Sequence, residues 1–343
     1  MGIIQIKQAG MLTTVQDLGR WGFGRFGMPV AGVMDEYAAR VANILLENDE
    51  NTSVLEITLM GPTLVFDAET AFVIGGGDLQ PRLNNAPIAL WTIQYAHEGD
   101  TLSFAGLKSG CRAYLAVTGG FQVEAVMGSA STYLRGKLGG YDGRALKAGD
   151  VLTTSQAVSQ KILPGLALPL EYLPQEREAI RVILGPQDDA FTQKGIDTFL
   201  SATYTVTNEA DRMGYRLDGP KIEHKSGADI ISDGIASGAI QVPAHGTPII
   251  MLADRQTTGG YTKIANVISV DLPCVAQKKP GDAIRFEQVT VQEAQRLYRE
   301  REQRLEQLQQ FVRQHAEQSL QRISHYIVTI NGQQHHVCVE EVV

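Results

Sequence analysis

The sequence predicts a mainly β protein with some α, arranged as two β-rich halves followed by a long C-terminal helix and a β-hairpin. Three observations carry this prediction. Apolar residues fall in short runs closed by glycine or proline, as in 54–59, 63–66 and 71–74, which is the punctuation of strands. A Gly-Asp turn ahead of an alternating strand recurs at Gly99-Asp100, Gly149-Asp150 and Gly281-Asp282, twice early and once late, suggesting related halves. Thr290-Val291-Gln292-Glu293 has the capping-box pattern and opens a helical period, while Asn331-Gly332 between two alternating runs marks a type I′ hairpin turn. The expected division is a first half over 1–160, a proline-bearing linker over 161–179, a second half over 180–289, a helix over 290–323 and a hairpin tail over 324–343.

With 343 residues, 43% of them hydrophobic and 20% charged, the chain can bury a substantial core. Its formal net charge of −8 gives no global basic surface, so binding to nucleic acid or to an anionic membrane is not expected, although a local basic pocket for a small anion is compatible with it. No apolar run approaches the roughly 18 residues of a membrane span, and the first residues lack the charged start of a signal peptide, which places the expectation in the cytoplasm. Cys111, Cys274 and Cys338 are odd in number and far apart, against a disulfide framework or a zinc site and in favour of reduced, buried thiols.

Along the first half, 3–7 reads as a strand. Gly22-Phe23-Gly24-Arg25-Phe26-Gly27 matches the letters of a dinucleotide fingerprint, but Pro29 follows at once and no apolar strand leads in, so it is set aside. Residues 35–47 carry helical spacing with Asp35 as N-cap. Gly75-Gly76-Gly77-Asp78 reads as a tight turn, or as a nest of N–H groups for an anion, without the Lys-Ser/Thr ending of a P-loop. Arg135, closing the polar loop 127–136, is an anion contact or one more surface arginine.

In the second half, Arg212 and Arg216 flank Gly214, and guanidinium groups bind carboxylate and phosphate through paired donors. Asp229 and Asp233 share a face only in a helix, and the β-branched residues around them favour a strand, so they are not an acid/base pair; at a turn tip Asp233 would hold a metal or orient an arginine. The late helix has Val291, Ala294, Tyr298, Leu305, Leu308 and Val312 at three-four spacing, but Arg301 interrupts the seam, as in a packing or partner helix rather than a regular coiled coil. His335-His336 alternate across a strand and do not suit one metal ion; no metal site is assigned.

Residues 248–263 concentrate the candidate chemistry. A buried strand over 248–252 stops in a polar segment, and Gly259-Gly260 reads as a turn whose amides approach a ligand. The expected roles are charge from Arg255, Lys263 and Arg212, with hydrogen bonds to substrate or phosphate from Gln256, Thr257, Thr258, Gly259, Gly260 and Tyr261. Asp254 would orient Arg255 or a magnesium ion, and Arg216, Arg135, Gly76, Gly77 and Asp78 would form further walls. The competing account is a polar hairpin turn with an internal salt bridge.

Four ordered blocks, 12–20, 55–62, 211–217 and 253–261, together resemble the allophanate hydrolase subunit 2 family of biotin-dependent carboxyltransferase-like proteins, over about residues 10–288. The resemblance implies two cyclophilin-like β-barrel halves. It implies partners as well: a B-like 5-oxoprolinase subunit, joined in the full assembly by an A-like one. That assembly opens the small lactam 5-oxo-L-proline to L-glutamate with ATP hydrolysis, so ATP with Mg is the implied cofactor. Relatives form the carboxyltransferase part of urea carboxylase, and others act as non-catalytic antagonists of a kinase inhibitor. The tail hairpin resembles the opening strands of a biotin carrier domain, yet no Ala/Val-Met-Lys-Met site follows, so no covalent biotin is expected on this chain.

Overall fold

The computed structural model describes residues 2–155, 165–321, 323–330 and 333–340, from 318 onward as backbone alone. The Asn331-Gly332 turn, linker residues 161–164 and the side chains of His335, His336 and Cys338 lie outside the described residues.

Strand punctuation becomes two β-rich bodies. The first body holds a seven-stranded sheet, ordered Phe121–Gln122, Val151–Thr154, Gly2–Gln8, Thr63–Phe66, Thr101–Phe104, Pro81–Leu83, Ala86–Pro87. Its second sheet has five strands, ordered Leu12–Gln16, Val54–Thr58, Ser109–Val117, Thr70–Asp78, Gln94–Ala96. Ile4, Ile6, Leu64, Phe66 and Leu152 from one sheet meet Val15, Leu55, Ile57, Phe72 and Leu115 from the other in a single core. The second body closes into a seven-stranded barrel, in which Ile180–Leu184 and Ala283–Gln288 pair in parallel to complete the ring. A separate ribbon, Asp229–Gly234 paired with Thr258–Tyr261, stands apart from that ring.

The recurrent Gly-Asp turns are one structure built three times. Gly99, Gly149 and Gly281 have φ of 87°, 92° and 90°, a left-handed conformation that glycine adopts without a Cβ penalty. In each, the aspartate carboxylate accepts from the backbone N–H three residues earlier, from His97 at 2.8 Å, Lys147 at 2.7 Å and Lys279 at 3.0 Å. Each turn then docks on an apolar strand residue, Phe66, Ile6 or Val206, through a reciprocal pair of backbone hydrogen bonds. Two such turns lie in the first body and one in the second, which is a structural counterpart of the internal likeness in the sequence.

Among the described residues four α-helices dress the sheets. Helix α1, Glu36–Leu45, is capped by Asp35, whose carboxylate accepts from Ala38 N–H at 2.9 Å. Helix α2, Gln193–Ser201, closes one end of the barrel by stacking Phe199 on Phe286 with ring centroids 4.5 Å apart; α3 is the short Leu272–Ala276. Helix α4, Val291–Gln321, starts where Thr290 Oγ1 accepts from Glu293 N–H at 3.1 Å. It lays Leu305, Leu308 and Val312 against Ala38, Val41, Ala42 and Leu45 of α1, so it is a packing helix. Arg301 breaks its apolar seam because the guanidinium donates to Ser269 O at 3.2 Å and pairs with Glu302. The helix ends at Gln321, and Ile323 already begins the hairpin Ile323–Ile330 with Gln333–Glu340. Among the described residues no helix is long and apolar enough to cross a membrane. Cys111 is buried and Cys274 half-buried, both as free thiols.

Candidate functional site

The two bodies meet along a buried ionic seam. Arg212, from the second body, pairs with Glu56 of the first, and its Nε and Nη2 hold Asp254 at 3.1 and 3.0 Å. Its Nη2 also donates to Gly32 O, so every guanidinium nitrogen is engaged. Burial pulls the Arg212 pKa down, but Asp254 and Glu56 outweigh it and the net shift is upward, fixing the cation. Glu56 in turn accepts from Tyr114 Oη at 2.9 Å and from Met34 N–H at 2.7 Å. Nearby, Arg112 Nη1 donates to Ala276 O at 2.6 Å and to Tyr215 Oη, again across the seam. Gln277 completes the joint by accepting from the N–H groups of Cys111 and Arg112 and donating to Asp35 at 2.8 Å.

Asp35 is fully buried in that joint, and burial raises its pKa from 3.8 to about 6, against the hydrogen bonds from Gln277 and Ala38. The folded state therefore keeps a proton that the unfolded state has already lost between those values. Stability from this group is complete below 3.8 and declines as pH rises through about 6. Measured by urea denaturation, wild-type stability relative to Asp35→Asn should fall from about pH 4 to about pH 6.5 and level off above it; a difference independent of pH would show that Asp35 does not titrate there.

Beside the seam opens a cleft of about 350 Å³. It gathers Arg135 from the first body with Arg216, Gln256 and Tyr261 from the second, four of the residues singled out in the sequence. Arg135 lies 3.7 Å from Asp211, and Arg216 is 2.9 Å from Glu209, both in exposed ion pairs that a stronger anion can displace. Asp211 is oriented by its own turn, accepting from Met213 and Gly214 N–H at 2.8 and 3.2 Å. The floor is Gln241, 2% exposed, whose Nε2 has no hydrogen-bond partner. The nitrogen is buried, and a side chain on Gly259 would bring its Cβ within 2.7 Å of it, so the glycine leaves room next to the amide. Buried polar groups are nearly always paired, so this unpaired donor in the lining of the cleft is an exception that an acceptor on a ligand would satisfy.

The other sequence candidates have different partners. Arg212 and Asp254 are internal to the seam, so neither reaches the cleft as free charge, and Asp254 orients Arg212 rather than Arg255. Arg255 turns back to donate to Ile235 O at 3.0 Å and Leu252 O at 3.1 Å, pinning the turn, and burial lowers its pKa. Lys263 is buried and binds Asp233 at 3.0 Å; Asp233 thus lies in a strand holding a lysine, not at a turn tip orienting an arginine. Gly259 and Gly260 are not a turn but part of the ribbon strand Thr258–Tyr261, with Thr258 opposite Gly234 and Thr257 O accepting from Ile235 N–H. Gly76 and Gly77 are not a corner either: they run inside Thr70–Asp78, where a Cβ at Gly76 would lie 2.4 Å from Arg112 O. Gly76 is paired with Ala113 of the neighbouring strand, Gly77 falls at a register irregularity in the same ladder, and Asp78 pairs with Lys108 at 3.0 Å, so this stretch is strand rather than an open turn. Gln241 escaped the sequence reading; its signal was a lone amide inside the apolar run Ala239-Ile240-Gln241-Val242.

A family model described as the carboxyltransferase domain, subdomain A and B, matches residues 26–288. The chain belongs to this carboxyltransferase family. It is 40% identical over 312 residues to the C subunit of 5-oxoprolinase from Haemophilus influenzae, covering 90% of this chain and 99% of that one. The corresponding 5-oxoprolinase C subunit of Escherichia coli is 36% identical over 307 residues, covering 89% and 97%. Urea amidolyase of Lachancea kluyveri is 37% identical over 318 residues, covering 85% of this chain but 17% of that longer one. Among solved structures, Kluyveromyces lactis urea carboxylase superposes with a TM-score of 0.84 at 34% identity, covering 89% of this chain and 29% of that one.

Three of the four blocks that resemble the carboxyltransferase family contribute to the seam, and the earliest one braces the interior of the first body. Glu56, Arg212 and Asp254 supply its ion pairs, and from the earliest block the Asp17 carboxylate accepts from Ser129 Oγ and Ala130 N–H, both at 2.6 Å. Arg20, from the same block, is buried and donates to Ser131 O. In this carboxyltransferase-family chain, therefore, the blocks 211–217 and 253–261 serve twice, Arg212 and Asp254 joining the two bodies and Arg216, Gln256 and Tyr261 lining the cleft.

Proposed function

We propose that this chain is one component of an ATP-dependent 5-oxoprolinase complex, opening 5-oxo-L-proline to L-glutamate together with B-like and A-like partner chains. The end-to-end match to the 5-oxoprolinase C subunit, over 99% of the Haemophilus influenzae protein, carries the proposal. The cleft suits the substrate's chemistry. Arg135 and Arg216 at its rim supply positive charge for the carboxylate of 5-oxoproline, and Gln241 donates to it from the floor.

A lactam is a poor electrophile. Transfer of the γ-phosphoryl group of ATP to its carbonyl oxygen releases ADP and activates the ring carbon; one water adds there and the C–N bond breaks, leaving the ring-opened acyl phosphate with a free amine, and a second water hydrolyses that acyl phosphate to glutamate and inorganic phosphate. Phosphoryl transfer depends chiefly on positioning and charge. Among the described residues no three His, Cys, Asp or Glu side chains gather as a metal cage, so in this proposal magnesium arrives with the nucleotide phosphates.

The test is reconstitution of the three chains and assay of glutamate from 5-oxoproline. Turnover should require ATP and be indifferent to avidin. The similarity to urea amidolyase and urea carboxylase favours a second reading, transfer of a carboxyl group from biotin carried by another protein. No glutamate from the complete complex, with avidin-sensitive carboxylation of urea instead, would replace the first reading by the second.

A further inference from the structure

A second cavity, of about 180 Å³, lies where five segments meet: Tyr37 of α1, the connection 173–177, Arg181 of the strand Ile180–Leu184, the region 270–274 and α4 between Leu297 and Arg304. It shares no lining residue with the cleft. Four guanidinium groups line it, from Arg177, Arg181, Arg301 and Arg304, against one lining carboxylate, Glu300, which is itself held by Arg296. Behind them the buried Asp271 is shared: Arg181 binds it at 2.6 Å and Arg177 approaches at 3.5 Å. Arg304 makes no ion pair among the described residues and rests 5.9 Å from the Tyr172 ring centroid. Arg301 is taken up by Glu302 at 3.0 Å and lies 3.7 Å from Glu36, so the donors left for a ligand are those of Arg304 and of Arg177, whose share of Asp271 is the longer one. Leu173, Pro174, Val270, Pro273 and Leu297 give the same cavity an apolar wall.

We infer that this cavity binds a small organic anion, its carboxylate or phosphate oxygens on Arg177 and Arg304 and its apolar body against Leu173, Val270 and Leu297. Guanidinium groups with unspent donors suit planar oxyanions, and an apolar wall beside them selects against a bare inorganic ion. The volume is below the roughly 300–1,000 Å³ of drug-sized pockets, so the ligand is the size of a small metabolite. Because the walls come from both bodies, their connection and α4, an occupant would clamp α4 onto the rest of the chain and raise its melting temperature.

The experiment is calorimetric titration of the purified chain with phenyl phosphate and with benzoate, which separates phosphate from carboxylate preference, and with inorganic phosphate and benzyl alcohol as the charged and apolar parts alone. At least one aromatic anion should bind saturably, one per chain, with Kd below about 1 mM, and more tightly than either part alone. The Arg177→Gln/Arg304→Gln double variant, whose folding is checked by its melting curve, should weaken that binding at least tenfold. Absence of saturable binding, equal affinity for benzyl alcohol or inorganic phosphate, or unchanged affinity in a folded double variant overturns the inference. None of these outcomes depends on 5-oxoproline turnover.

Discussion

Replacing Arg212 with alanine is expected to destabilise the folded chain by about 3–5 kcal/mol, because it strands two buried carboxylates. Glu56 and Asp254 are 1% and 6% exposed at their side chains, so water cannot take the place of the lost guanidinium. Coulomb attraction in the intact seam is largely offset by the cost of desolvating the three groups, which is why removal of one partner does more damage than removal of the set. The triple variant Arg212→Met/Glu56→Leu/Asp254→Leu should therefore recover a large share of the loss. The shift of the urea midpoint, at unchanged slope, reads both effects. A single-variant loss below about 1 kcal/mol, the range of exposed ion pairs, would show that solvent reaches the seam.

Gln241→Met should lower kcat/KM for 5-oxoproline in the reconstituted complex by about 10- to 100-fold, matching loss of one hydrogen bond to a charged group at roughly 1.5–3 kcal/mol. Stability should move the other way or not at all. The Nε2 donor has no partner in the structure, so replacing it with a thioether of similar volume removes an uncompensated polar group. A purely structural glutamine would produce the opposite pattern, loss of stability with normal turnover. That combination would remove Gln241 from the site.

Local patterns were legible wherever one side chain or one backbone angle decided the outcome. Asp35, Thr290 and the three Gly-Asp turns each act within a few residues of themselves, and the structure places them as the sequence indicates. Glycine was the ambiguous letter. Gly76 and Gly259 read as turn residues, yet each lies in a strand where a neighbour comes too close for a Cβ, a use of glycine that spacing does not distinguish from a turn. The role of Arg212 was hidden for another reason: Glu56 lies 156 residues away, and only the fold brings the carboxylate to it. The cleft was half legible. Arg135, Arg216, Gln256 and Tyr261 were flagged separately, but their meeting depends on how the two bodies dock.

The ion pairs of the seam also set a clock on synthesis. Glu56 emerges 156 residues ahead of Arg212, and translation at roughly 5–20 residues per second separates the two by about 8–30 s. Once Tyr114 and the strand Val151–Thr154 have followed, the nascent first body carries that carboxylate, with the Tyr114 hydroxyl and Met34 amide that bond to it, on a face whose guanidinium does not yet exist. The first body thus waits on the ribosome with its docking face wet, and the chain reaches its native state only when the second body arrives to close it.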